Sequence, residues 1–174
     1  MSSSFSLREG ELEFIFPTNM QVWRVDNSPH YRKHLTSWKA VDFVLTHSEC
    51  EQSWWVEVKD YSRFQRSKSI DLVEEIKQKV AGTAITAVAT QFRASNPEDI
   101  AHAAKATTSR QMCFILQLEQ PKHRSKMFPK AIGQQDLREK LRKELRFITT
   151  TVVETSVAAA DHRVPWINVS RRVD

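Results

Sequence analysis

The chain has 174 residues, 40% of them hydrophobic and 27% charged, with a formal net charge of +5. That is enough apolar material for one globular domain over residues 1–174, and it excludes a low-complexity or fibrous chain. The basic excess favours polyanionic partners such as nucleic acid, although charge speaks to association and not to fold. Cys50 and Cys113 are the only cysteines; they exclude a disulfide framework and a structural zinc site and fit a reducing, cytoplasmic compartment. The start, MSSSFSLREGELEF, has no basic flank followed by an apolar run, and no stretch is long enough to span a bilayer. Neither a signal peptide nor a membrane segment is expected.

In chain order, ELEFIF (11–16) alternates and stops at Pro17, as a strand does. QVWRVD (21–26) is expected to pair with it as a hairpin across PTNM, and the basic stretch 27–39 to form a loop or one helical turn. AVDFVLT (40–46) and SWWVEVKDY (53–61) are the clearest strands, and the short polar HSECEQ between them suits an antiparallel hairpin. Val73, Ile76, Val80, Ala84 and Ala87 then recur at steps of three and four, the apolar face of a helix capped by Ser69 or Asp71. Gly82 and the threonines beside it weaken its intrinsic propensity, so close packing against a neighbour is expected there. Asn96-Pro97-Glu98-Asp99 is a second helix start. MCFILQLE (112–119) reads as a strand buried on both faces, with helices above and below. Asp136 and Glu139 resemble a capping box for a helix lined by Leu137, Leu141 and Leu145. TVVETSV and VPWINVS (151–157 and 164–170) are expected as a last strand pair, giving an α/β fold with a mixed sheet.

Within 53–61, alternate residues share a face, so Trp55, Glu57 and Lys59 project together, away from Trp54, Val56 and Val58. Asp42 opens the preceding strand with fourteen residues between it and Glu57. In a hairpin the two acids can lie side by side, with Lys59 next to them. Converging carboxylates with a strand carbonyl and waters suit a hard cation such as Mg²⁺ or Mn²⁺, and an adjacent lysine can orient a water. An acid two residues before a lysine is expected about once in such a chain by chance. Glu75-Ile76-Lys77 is a second instance, but in a helix its side chains point to nearly opposite sides. The bland alternative for Glu57 and Lys59 is a solvated pair on an edge strand.

Ala40-Val41-Asp42-Phe43-Val44, followed by Trp55-Val56-Glu57-Val58-Lys59-Asp60-Tyr61, resembles the core of the PD-(D/E)XK nuclease superfamily. The resemblance covers residues 40–61, with the helix near 70–92 and the strand 112–119 following in the expected order. It implies a restriction-endonuclease-like mixed β-sheet flanked by helices. It also implies a magnesium-dependent hydrolase in which Asp42, Glu57 and Lys59 are catalytic. Asp42, Glu57 and the carbonyl of Val58 would hold the metal, and Lys59 would serve the attacking water. Val41 stands where the motif has proline. Glu11 and Glu13 are the nearest candidates for the upstream glutamate many members carry, and neither is carried over. Gln78 and Lys79 match a polar position some members use near the metal, but a solvated helix face is the reading adopted for them.

The implied substrate is nucleic acid, DNA ahead of RNA. Arg63, Arg66 and Lys68 follow the site directly, and Lys122, Arg124 and Lys126 lie in a loop without acids; all six are candidate phosphate contacts. The basic run 138–146 alternates with glutamates and reads as a solvated helix face. A catalytically weak or inactive domain of the same kind, binding nucleic acid or a protein partner, is the competing expectation, and a homodimer stays open.

Overall fold

Residues 4–47, 51–62, 70–121 and 134–171 are described by a computed structural model. Strands β4 (Phe43–His47) and β5 (Gln52–Asp60) form the expected antiparallel hairpin, with Phe43 opposite Val56 and Thr46 opposite Ser53. On the far side of β5 lies β6 (Gln111–Glu119), parallel to it along its whole length, and β7 (Thr151–Thr155) is parallel to β6. With β3 (Met20–Trp23) on the other edge, the order is β3-β4-β5-β6-β7, a mixed sheet with the hairpin at one side and parallel strands at the other.

Two expected pairings are different. The segment after Pro17 does not fold back on its predecessor: β2 (Leu12–Pro17) and β3 lie in different sheets. The partner of β2 is β1 (Ser4–Glu9), a short strand in which Phe5 and Leu7 alternate with polar residues, joined through Gly10 at φ +56. Nor do the last two strands pair: β7 joins the large sheet and β8 (Asn168–Arg171) joins β2, giving a small antiparallel sheet β1-β2-β8. This small sheet, not a second helical layer, covers one face of the large one. Leu12, Phe14, Phe16, Trp166 and Val169 pack there against Phe43, Leu45, Trp54, Val56, Ile115 and Val153.

The other face carries the helices. α2 (Leu72–Arg93) is capped by Asp71, whose Oδ1 accepts from the N–H groups of Val73 and Glu74. It buries Val73, Ile76, Val80 and Ala87 against Trp55, Phe114 and Leu116. α3 (Pro97–Thr108), capped by Asn96 as expected, and α4 (Gln134–Leu145) complete the layer, with Leu137, Leu141 and Leu145 fully buried. Asp136 lies inside α4, so it forms no capping box with Glu139. A six-residue helix, α1 (Pro29–His34), occupies the basic stretch before β4. Among the described residues no helix is long and apolar enough to cross a membrane.

The weak helix formers in the middle of α2 have a packing reason. A Cβ built on Gly82 would stand 2.0 Å from the carbonyl oxygen of Lys39. One residue on, the fully buried Thr83 hydroxyl accepts a 2.9 Å hydrogen bond from the Val41 N–H. Together they seat the 39–41 segment on the helix and so fix where the next residue, Asp42, begins. Gly82→Ala gains up to about 1 kcal/mol of helix propensity but forces two backbones apart, a clash of about 3 kcal/mol or more. Urea unfolding should show net destabilisation of about 2 kcal/mol or more; a stabilised variant would contradict this packing.

Candidate active site

Glu57 sits two residues after Trp55 on the helix-facing side of β5, beside Leu116 of β6, and is fully buried. A carboxylate in such a place must be paired. Its partners arrive from both sides of the layer. Lys59, on the same face of the strand, brings its Nζ to 2.7 Å from Glu57 Oε1. Lys79 of α2 brings its Nζ to 2.7 Å from the same oxygen and donates a 2.9 Å hydrogen bond to Oε2. The contacts at Oε1 are charge contacts without hydrogen-bonding angles.

Asp42 enters from the residue just before β4. Its N–H donates to the Val56 carbonyl at 3.1 Å, and its Oδ2 accepts from the Val58 N–H at 2.7 Å. Strand pairing ends at Phe43 and Val56, so the Asp42 side chain takes over the next backbone donor. Within a strand a residue directs its N–H and C=O to the same edge, so the Val58 carbonyl also faces the Asp42 side. The other carboxylate oxygen, Oδ1, accepts from Lys79 at 3.2 Å. Asp42 and Glu57 thus converge on one cationic centre.

A third acid completes the cluster. Glu75, 1% exposed in the first turns of α2, accepts from Lys59 Nζ at 2.9 Å. Glu75, Lys79 and Thr83 are spaced i, i+4, i+8, so one stripe of α2 meets the end of the hairpin at three successive points. The tripeptide Glu75-Ile76-Lys77 is indeed split, since Lys77 turns outward and pairs with Glu144 of α4 at 2.8 Å. Glu75 itself is nonetheless a member of the site, and Lys79 is no solvated surface residue. Both border the Ile76/Val80 core stripe, a position that suits solvent and a buried partner equally well.

The charges follow from this enclosure. Burial, and then the Asp42 charge, push Glu57 up to about 7, with the two lysines pulling the other way. Burial works against the charge of Lys59, but Glu57 and Glu75 outweigh it and hold the ammonium well above its usual range. Lys79 is raised in the same way, burial opposing and Glu57 and Asp42 prevailing. Lys59 therefore keeps its proton at neutral pH and is suited to orienting water and opposing negative charge, not to accepting a proton.

Neither Glu11 nor Glu13 takes the upstream position: Glu13 approaches Arg8 at 3.8 Å, and Glu11 lies in the β1–β2 turn. Glu9 at the end of β1 comes closer. Its carboxyl is raised by burial and then by Asp42, and it pairs with Arg24 at 2.6 Å. Arg63, Arg66, Lys68, Lys122, Arg124 and Lys126 lie outside the described residues. Cys113 is buried, and burial pushes its thiol up to about 11, which leaves it inert as a nucleophile.

Among the described residues no three His, Cys, Asp or Glu side chains come together to hold a metal ion. The set that fits a small hard cation is two carboxylates, Asp42 and Glu57, with the Val58 carbonyl on the same edge and waters to complete it. The Lys79 ammonium shows that the two acids can share one cation.

The raised Glu57 has a consequence for metal-free stability. Between about pH 4.5 and 7 the folded state retains a proton that the unfolded chain has released, so stability falls as pH rises through that window. Below it both states are protonated, and above it the loss is complete. Urea titrations in EDTA should show the wild type losing about 1–3 kcal/mol more across the window than Glu57→Gln; parallel pH slopes would contradict the burial of this charge.

Comparisons with family models, with curated proteins and with solved structures gave no match to this chain.

Proposed function

We propose that this protein is a metal-dependent nuclease with a restriction-endonuclease-like fold, hydrolysing phosphodiester bonds of nucleic acid. The observation that carries it is the convergence of Asp42 and Glu57 on one cation position with the Lys59 ammonium fixed alongside. The hairpin-plus-parallel-strand sheet and the position of α2 after β5 agree with the resemblance in residues 40–61. DNA stands ahead of RNA on that resemblance alone.

In this reading Asp42, Glu57 and the Val58 carbonyl hold Mg²⁺ or Mn²⁺. Such an ion would supply polarisation of a phosphoryl oxygen and acidify the attacking water. Lys59, clamped by Glu75, points a charge at the attacking water and at the phosphoryl oxygens as negative charge grows on them. Water adds to phosphorus and gives up a proton to solvent, and the P–O ester bond breaks. The leaving oxygen takes up a proton from solvent, and a phosphomonoester and an alcohol result. The +5 net charge favours approach of the polyanion. Basic surface among the described residues includes Lys33 and His34 of α1 and Arg93 at the end of α2, around a cavity of about 280 Å³ that Asp99 also lines.

A second reading has a specific observation in its favour. The five charged groups already neutralise one another to within one negative charge, three acids against two ammoniums, with no metal needed. A nuclease-like domain that has lost catalysis and binds nucleic acid or a protein partner would have such a closed cluster.

A cleavage panel of single- and double-stranded DNA and RNA with Mg²⁺ or Mn²⁺ separates the two. Lys59→Ala should lower the rate by about 10²-fold or more, but it also removes a counter-charge that two buried carboxylates share and costs stability of about 3 kcal/mol. Lys59→Arg keeps the charge, so its stability should stay within about 1 kcal/mol while its rigid fork misplaces that charge and cleavage still falls about tenfold. Unchanged cleavage in Lys59→Ala would sink the assignment. Metal-dependent cleavage absent from every substrate would favour the binding domain.

A further inference from the structure

Resting on the reading of Asp42 and Glu57 as a metal site, we infer that Lys79 is a built-in competitor of the metal. Its ammonium bridges the two carboxylates in the metal-free protein and is displaced when a divalent cation enters.

The two lysines of the cluster are not equivalent. Lys59 has one carboxylate inside the proposed metal set, Glu57, and one outside it, Glu75, at 2.7 and 2.9 Å. When Glu57 turns to a metal, Lys59 keeps an anchor. Both carboxylate contacts of Lys79 are to the proposed ligands themselves, Asp42 Oδ1 at 3.2 Å and Glu57 at 2.7 Å. An ammonium there and a dication bound through the same oxygens would be neighbouring like charges, so the two states exclude each other. Lys79 is also able to leave. Its side chain is 17% exposed, against none for Glu57, and four methylenes separate its charge from a backbone fixed in the middle of α2. On release the charge stays at the rim of the site, on the side open to solvent, where an incoming phosphate would meet it.

Competition of this kind has a sign that a structural role lacks. If Lys79 only braced the carboxylates, removing it would leave them mispositioned and metal affinity would fall. If it competes, apparent affinity in the wild type is reduced by the fraction of molecules in which the ammonium is displaced, and removing it strengthens binding.

The test is Mn²⁺ binding without substrate, followed by calorimetry and by the loss of the free-ion paramagnetic signal. The panel is the wild type, Lys79→Met, Lys79→Gln and Asp42→Asn. The two Lys79 variants guard against a failure of either to fold, checked by circular dichroism. The expected result is Mn²⁺ affinity raised about tenfold or more in a Lys79 variant, as for a site that the ammonium closes about nine-tenths of the time. Asp42→Asn should remove the binding. Equal or weaker affinity in both folded Lys79 variants, with Asp42-dependent binding intact, overturns the competition and leaves the nuclease reading standing. Asp42-dependent binding that appears only once Lys79 is replaced supports the competition and speaks for the inactive domain. Mn²⁺ binding that is absent from all three proteins that keep Asp42, or no stronger there than in Asp42→Asn, overturns both.

Discussion

Glu57 is a carboxylate with no exposure to solvent, and what surrounds it follows from that constraint. Taking such a group out of water costs several kcal/mol unless counter-charges go with it. Two ammoniums at 2.7 Å supply them, and each is held in turn by another acid, Glu75 for Lys59 and Asp42 for Lys79. The pairing works only if α2 lies close against the end of the β4–β5 hairpin. Gly82, with no side chain to hold off the Lys39 carbonyl, and Thr83, accepting from Val41, bring it there. The apolar stripe of Val73, Ile76, Val80 and Ala87 gives the helix its affinity for the sheet, while the adjoining polar stripe sets its register.

The same enclosure connects stability to chemistry. On the proposed reading the site gathers negative charge for a dication, and the protein has to tolerate that charge when it folds without the ion. Here the acids exceed the bases by one, and burial first, then the neighbouring Asp42 charge, raise the Glu57 carboxyl. Lys59 is kept protonated by its two acids, which directs it toward electrostatic work. Asp42 carries two tasks at once: one oxygen closes the backbone ladder at Val58 and the other faces the Lys79 ammonium. Asp42→Asn, which keeps an acceptor for Val58, is for this reason a cleaner substitution there than alanine.

Period-two alternation placed Glu57 and Lys59 on one face, and the hairpin spacing set Asp42 beside them, because both are consequences of local strand geometry. Asn96 and Asp71 were legible as caps for the same reason. Glu75 and Lys79 were not, since a polar residue flanking an apolar helix stripe is as compatible with solvent as with a partner, and here the sheet beneath decides. The split into two sheets was hidden too. Pro17 ends β2 in a way that suits a turn equally well, and β8 returns to β2 across nearly the whole chain, a contact no local pattern announces. The basic residues expected to grip phosphate fall outside the described residues, so the substrate side rests on charge and resemblance while the metal side rests on geometry.

The central claim is that Asp42 and Glu57 hold a divalent cation, and crystals grown with Mn²⁺ test it most directly. Anomalous scattering should place the ion within coordination distance of Asp42 Oδ1, a Glu57 carboxylate oxygen and the Val58 carbonyl, with the Lys79 ammonium withdrawn from between the acids. A map with no anomalous peak there at saturating Mn²⁺, and Lys79 still bridging Asp42 and Glu57, would contradict it.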